Sequence, residues 1–531
     1  LKVGKESKNK NKLEEKAMRR ILFLLGIVLT AVLTASGQTI PTAQNLPYSQ
    51  NFDDLPHSSS TYPPGWQGWH LGTNPSTPTD FSTDPPQSDA TLTANSTAST
   101  ISGGVHNYNG KIGFLPTSST NPALCLVINT SGFRRIIMTY DIMTIRNPYG
   151  GSNTRINKAA LQYRASGDLG TFITTSDSNY QNITTTQTSG TDPQNLETHT
   201  ILLPSDCDDK PVVQLRWVAR QVSGFGSRPS FAVDNIYING TRFFTTSGTI
   251  SGGPFYGLEL DGSNITVSLT GNLEVDTLSF LQDGKVLTGN YFLKVNKTIS
   301  GSGVGKFVDG NLVLPVSSTG SKKWETGQGN DYLPLTINFT SLTGSGDVTV
   351  TVLDRTSTPP GGPIGANKVL KRYFRVTQSG GITSFNADLT LTYTDADVSG
   401  QDISNENSLR VFQWDGAQWK ELTVIDRDVN NNTITVTGVT SFSDFVISGT
   451  GDAPLPVQVA SVLANVSGRD VKIKIKTQTE PDDFLGFNVY RSRDGENFVI
   501  VGSYESVSSL RAKGNLAYGG EYEFVDRGLN T

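Results

Sequence analysis

The run Asp395-Ala396-Asp397-Val398-Ser399-Gly400, followed by five residues and Glu406, satisfies the calcium-loop expression D-x-D-x-S-G-x5-E. Carboxylate and hydroxyl oxygens at Asp395, Asp397, Ser399 and Glu406, with a glycine at the sharp turn, are what a hard divalent cation requires. The flanks argue otherwise. LTLTYT before the loop and LRVFQW after it read as strands, and Asp402 takes a position that an apolar residue normally holds. An acidic connector between two strands is the reading that the flanks favour.

Aromatic side chains supply a second candidate chemistry. Tyr62, Trp66, Trp69 and His70 fall within nine positions, and exposed rings stack on sugar faces. Trp66, set by Pro63-Pro64-Gly65, is expected to fill a core, whereas Trp69 and His70 are the candidate ligand contacts. Reactive sets are missing from the text. The four histidines (His57, His70, His106, His199) show no metal spacing, and neither H-E-x-x-H, C-x-x-C nor G-x-S-x-G occurs. Gly301-Ser302-Gly303-Val304-Gly305 lacks the Lys-Ser/Thr of a phosphate cradle and reads as turns. A carboxylate pair for glycoside hydrolysis is defined by spatial separation, so 48 acids in a sequence neither reveal nor exclude one. Cys125 and Cys207 are the only cysteines. In an oxidising compartment they are candidates for one disulfide, the alternative being two unpaired small residues with Cys125 packed in the strand ALCLVI.

The elements that must position these groups are strands. Period-two alternation is clear in Val348–Val352, Leu389–Tyr393, Thr433–Thr437 and Val471–Lys476, with Gly, Asn, Asp, Ser and Pro clusters between such runs. Long runs of 3.6-residue period are missing, so an all-β fold of antiparallel sheets with one buried face is predicted.

The compartment is read from the first residues. Met18-Arg19-Arg20 is a basic head, Ile21 to Leu33 an apolar run of 13, and Ala35-Ser36-Gly37 a small-residue cleavage site before Gln38. That is the layout of a secretory signal peptide over 18–37, and the run is shorter than the roughly 20 residues of a membrane span. Met18 is a candidate true start, with residues 1–17 either an over-extension or a long basic head. The first 37 residues hold 8 of the 43 basic and 3 of the 48 acidic side chains, leaving a mature chain with net charge −10. A chain of that sign repels phosphate backbones, which argues against nucleic-acid partners.

Composition breaks divide 531 residues into several modules. Residues 38–241 form the largest, 245–320 carry short, evenly spaced β runs that fit a parallel β-solenoid or a small sandwich, and 321–450 read as a further sandwich with an Asp415-Gly416 hairpin turn. Residues 451–456 are a Gly/Pro linker, and 457–531 a last module.

Two of these regions carry a family resemblance. LPYSQNFDD, PPGW, KIGFL, ALQYR, VQLRW and FAVDNIYI together resemble the MAM-like jelly-roll sandwiches, related in layout to carbohydrate-binding modules, that open many surface proteins of the type IX secretion system. Leu455-Pro456-Val457, GFNVYRS, Asp494-Gly495 and YEFVD resemble the fibronectin type III-like module that precedes the sorting domain of such cargo. Ile475 stands where that module usually has a tryptophan, and the family continues into a sorting signal past the position of Thr531, so a truncated module is expected. The jelly-roll resemblance implies a structural calcium between an acid near the opening strand, Asp53 or Asp54, and Asp234 in the last.

The sequence is therefore read as a non-enzymatic modular protein of a bacterial exterior, with no cofactor beyond structural calcium. Its expected role is adhesion, or binding of a glycan or surface protein, through the first module. Its expected partners include the type IX secretion machinery, with no membrane span after signal removal. The alternatives are the non-catalytic part of a larger secreted hydrolase and a purely structural stalk.

Overall fold

The computed structural model describes residues 37–72, 80–165, 170–176, 178–355, 369–401, 403, 405–449, 458–480, 484–513 and 519–528. The signal peptide at 18–37 thus lies outside the described residues except for Gly37, as do the linker 451–456 and Asp402. The chain is all-β. Helix among the described residues is limited to the one-turn Asp395–Val398 and three 3-10 turns, and no helix there is long and apolar enough to cross a membrane. The chain divides into two compact units, one up to Phe243 and one from Phe244 onward.

The first unit is a sandwich of two sheets. One sheet runs, from edge to edge, Ile173–Thr174, Ile156–Arg164, Val213–Ser223, Pro122–Asn129, Trp66–Leu71 and Pro86–Ala90. The other is built around Phe231–Phe244, which pairs with Phe133–Thr144 on one side and with Tyr48–Gln50 and Ile112–Leu115 on the other. Between the sheets Trp66 stacks on Trp217 (5.6 Å, 8°), and Trp217 meets the edge of Tyr140 from the facing sheet (5.4 Å, 75°). The Trp66 indole N–H donates to the Tyr48 hydroxyl at 2.8 Å, so this core aromatic is both packed and satisfied. The continuous apolar run ALCLVI follows from burial on both faces of its strand, the pattern of a sheet covered on two sides.

The second unit opens as a β-solenoid. Gly248–Ile250, Ile265–Leu269, Gly284–Ser300 and Lys306–Val316 stack in parallel, with Val267 over Val286 and Val286 over Val308. A second parallel column sets Leu273 beside Leu293 and Leu293 beside Leu312. Like apolar residues recur at each turn because every rung must cover the one before it. The solenoid then closes against antiparallel strand Gly346–Asp354, and one hydrophobic core continues from Ile250 to Ile447 through the following sandwich. In that sandwich Arg375 grips the buried Asp444 through two hydrogen bonds of 2.9 and 3.0 Å.

The last module pairs Gln458–Ser467, Asp470–Thr479 and Glu521–Asp526 in one sheet and Asn488–Ser492 with Phe498–Ser503 in another. Ile475 is buried here, and Tyr522, Phe484 and Phe487 make an aromatic cluster with ring separations of 4.9 to 6.2 Å.

Candidate functional site

The calcium-loop sequence does not assemble a cation site. Thr394 caps the one-turn helix Asp395–Val398, and Asp397 closes a capping box by accepting from the Thr394 amide and hydroxyl. The other Asp397 oxygen takes Arg372 Nη1 at 2.6 Å, while Arg372 Nη2 reaches Asp331 at 2.6 Å. Asp395 accepts from Asn432, Glu406 from the Tyr393 hydroxyl, and Ser399 ends the helix. The carboxylates of Asp395, Asp397 and Glu406 are therefore turned to separate partners. Among the described residues no three His, Cys, Asp or Glu side chains gather to hold a metal ion.

Trp69 and His70 also depart from expectation. Successive side chains of a strand point to opposite faces, so the two rings cannot form one platform. Trp69 is fully buried on the outward face of its sheet, packed with Cys125, Val127 and Phe172, and its indole N–H donates to the Thr39 carbonyl at 3.1 Å. His70 is half-buried on the opposite side. Tyr62 crosses the same strand where Gly68 offers no side chain; a Cβ there would lie 2.0 Å from the Tyr62 hydroxyl. The disulfide is likewise not formed. Cys125 and Cys207 are free and buried, the first inside the Trp69 cluster and the second ending the 3-10 turn Ser205–Cys207.

The outward face of that sheet is a roofed second core. Arg216, 0 % exposed, donates from Nε to Gln162 (2.9 Å), from Nη1 to the Asp84 carbonyl (2.8 Å) and from Nη2 to the Ser82 carbonyl (3.0 Å). Arg164, 2 % exposed, donates to the Gly170 carbonyl at 3.0 Å and to Gln214 at 2.6 Å. Both guanidiniums lie over the Phe172 ring, at 3.6 and 4.3 Å from its centroid. Burial, with the neighbouring charge of Arg164, lowers Arg216 to about 9. Sequence reasoning missed this pair. Gln162/Arg164 and Gln214/Arg216 alternate with apolar residues in ALQYR and VQLRW, which reads as a solvent-facing row.

Where the roof ends, a cleft of about 390 Å³ opens, lined by Tyr163, Arg164, Thr171, Ile173, Asp206 and Lys210. The backbone of Lys210 is fixed by Thr130, whose hydroxyl receives the Lys210 amide at 2.9 Å. Its ammonium has no hydrogen bond or ion pair among the described residues. Thr171, Ile173 and Asp206 are exposed at the rim, while Tyr163 is buried at the base. Burial, and then the Asp206 carboxylate, push the Tyr163 phenol upward, so it stays a hydrogen-bond donor at neutral pH.

The two acids expected to bind calcium do come within each other's field. Asp234 lies across the strand pair from Asp141, and it is raised to about 6, chiefly by burial, with Asp53 and Asp141 adding repulsion. Asp141 is occupied by Thr198 (2.5 Å) and Asn235 (2.8 Å), and Asp53 accepts from Asn51 at 2.6 Å. Lys111 stands in the field of both Asp234 and Asp53, the first-unit ammonium that partly offsets them. Two carboxylates with residual repulsion fit a cation whose other oxygens come from carbonyls and water. The histidines offer no such set. Ser96 and His106 share a 3.0 Å hydrogen bond, but both are buried and the other ring nitrogen is held by the Ser102 carbonyl.

No family model matches the chain, and no curated protein matches it. Among solved structures it is similar to the CBM22-1 xylan-binding domain of Paenibacillus barcinonensis Xyn10C, at 10 % identity over 37 % of this chain and 95 % of that one, with a TM-score of 0.19. It is similar to the K3 cleaved adhesin domain of Lys-gingipain from Porphyromonas gingivalis W83, at 12 % identity over 36 % and 97 %, with a TM-score of 0.20. A third likeness is to CBM28, a carbohydrate-binding module specific for non-crystalline cellulose, at 14 % identity over 38 % and 98 %, with a TM-score of 0.18.

Proposed function

We propose that this chain is a non-enzymatic binding protein of the bacterial exterior, whose first sandwich takes a glycan or surface protein in the cleft beside Arg164. The observation that supports it is the cleft's lining, which brings Lys210, Arg164, Asp206 and Thr171 together around a volume of about 390 Å³. A few convergent polar groups beside an apolar patch, here Ile173, are typical of small-ligand recognition. Export by the type IX machinery and structural calcium at Asp53 and Asp234 belong to the same proposal. When bound, calcium would draw the opening strand's acid and the last strand's acid together, leaving chemistry at the cleft untouched.

The test is an array of glycans and matrix proteins probed with residues 38–531, as wild type, Lys210→Ala and Asp206→Asn. Binding that both variants weaken supports the cleft. Binding that neither variant changes moves the site elsewhere, and a blank array favours a structural stalk.

A further inference from the structure

We infer that the cleft beside Arg164 selects a carboxylate-bearing sugar, a uronate residue of an acidic glycan, over a neutral one. The inference rests on the cleft being the binding site.

Three observations carry it. Lys210 lines the cleft and its ammonium has no hydrogen bond or ion pair among the described residues, while Asp206 at the rim is the single acid among the lining residues. Arg164 is held in place from two directions by Gly170 and Gln214 and by the Phe172 ring, so its charge does not have to be ordered when a ligand arrives. Arg216 lies close enough behind Arg164 for their charges to repel, with the Asp84 carboxylate offsetting part of that repulsion. The cleft therefore sets an anchored guanidinium beside the Lys210 side chain, and both charges favour an incoming anion.

The remaining lining suits a sugar ring better than an acidic peptide. Asp206 accepts from ring hydroxyls, Thr171 both donates and accepts, and Ile173 offers an apolar surface to one ring face. An acidic peptide brings Asp206 no ring hydroxyls and Ile173 no sugar-ring face. A uronate places one carboxylate at Lys210 and presents hydroxyls to Asp206 and Thr171.

Titration calorimetry of residues 38–531 with oligogalacturonate, a neutral galacto-oligosaccharide of equal length and an oligoglutamate peptide tests this at low and high salt. The expected result is a preference of about tenfold or more for the uronate, reduced by salt. Lys210→Gln should abolish the preference and Lys210→Arg should restore most of it, which a fold defect would not do. Equal affinity for neutral and acidic sugars overturns the inference but leaves glycan binding standing. Tighter binding of the peptide than of the uronate overturns it in favour of a protein ligand. Failure of all three ligands removes the cleft as the binding site.

Discussion

The Arg216 guanidinium carbon lies 3.6 Å from the centroid of the Phe172 ring, and this contact pins a loop onto the outward face of the first sheet. The roof that results converts Trp69 from a ligand platform into a core residue. Phe172→Ala removes a buried ring and should destabilise the protein by about 3–5 kcal/mol. Trp69→Ala, which also leaves the Thr39 carbonyl without its donor, should cost a similar amount. Denaturant titration of the near-ultraviolet signal reads both. A loss below about 1 kcal/mol for either variant would show that the roof is not packed in solution.

How much of this was legible in the sequence depends on what each residue faces. Strand alternation in Val348–Val352 and Leu389–Tyr393 was readable because apolar residues fill one face and threonines the other, even though Thr351 is buried and Thr349, Thr390 and Thr392 are half-buried. The solenoid was one of two readings of 245–320, and equal spacing alone could not choose, since parallel stacking depends on contacts about 20 residues apart. The Arg164/Arg216 layer was invisible for a different reason. Polar residues alternating along a strand look the same under solvent as under a roof contributed by distant segments such as Ser82–Asp84 and Phe172. The Asp395–Glu406 loop had ligand spacing, but spacing does not fix side-chain direction, and the capping box with Thr394 together with Arg372 turned Asp397 away.

His106 should make stability fall in mild acid. Burial lowers its imidazole from the usual 6.5 to about 4, against a smaller opposing pull from the Ser102 carbonyl. The unfolded chain takes up a proton near pH 6.5, whereas the folded chain resists until about pH 4. The stabilisation is therefore full above pH 6.5 and is lost as pH falls through 4, on the order of 3 kcal/mol. Gln at this position keeps one donor and one acceptor without titrating. Unfolding free energies of wild type and His106→Gln, measured between pH 7 and 4, should diverge with the variant flatter.

Asp234 should act in the opposite sense. Its folded value of about 6 lies above that of an unfolded aspartate, so its contribution is full below about pH 4 and is lost as pH rises through 6. In the presence of a chelator, Asp234→Asn should raise the melting temperature at pH 7 and flatten this slope. Calcium favours the ionised pair, so it should raise the wild-type melting temperature and leave Asp234→Asn unmoved. No response of the wild type to calcium or to chelator assigns the corner to Lys111 alone. Because the His106 and Asp234 slopes oppose each other between about pH 4 and 6, each is read from its own variant.

In the last module, Val462 pairs with Ile475 and Val466 with Val471 across neighbouring strands, so they share the face that Ile475 buries. Yet Val462 is 61 % and Val466 77 % exposed. A valine that loses so little water contact on folding contributes little, and Val466→Thr should change stability by less than about 0.5 kcal/mol. Leu510, fully buried in the same module, should cost about 2–5 kcal/mol when replaced by Ala. The uncovered face should also bind a hydrophobic dye in the native protein, with less fluorescence in Val462→Ser/Val466→Ser. If Val466→Thr proves as costly as Leu510→Ala and the dye stays dark, this face is covered in solution, and the row of valines is a core rather than a surface.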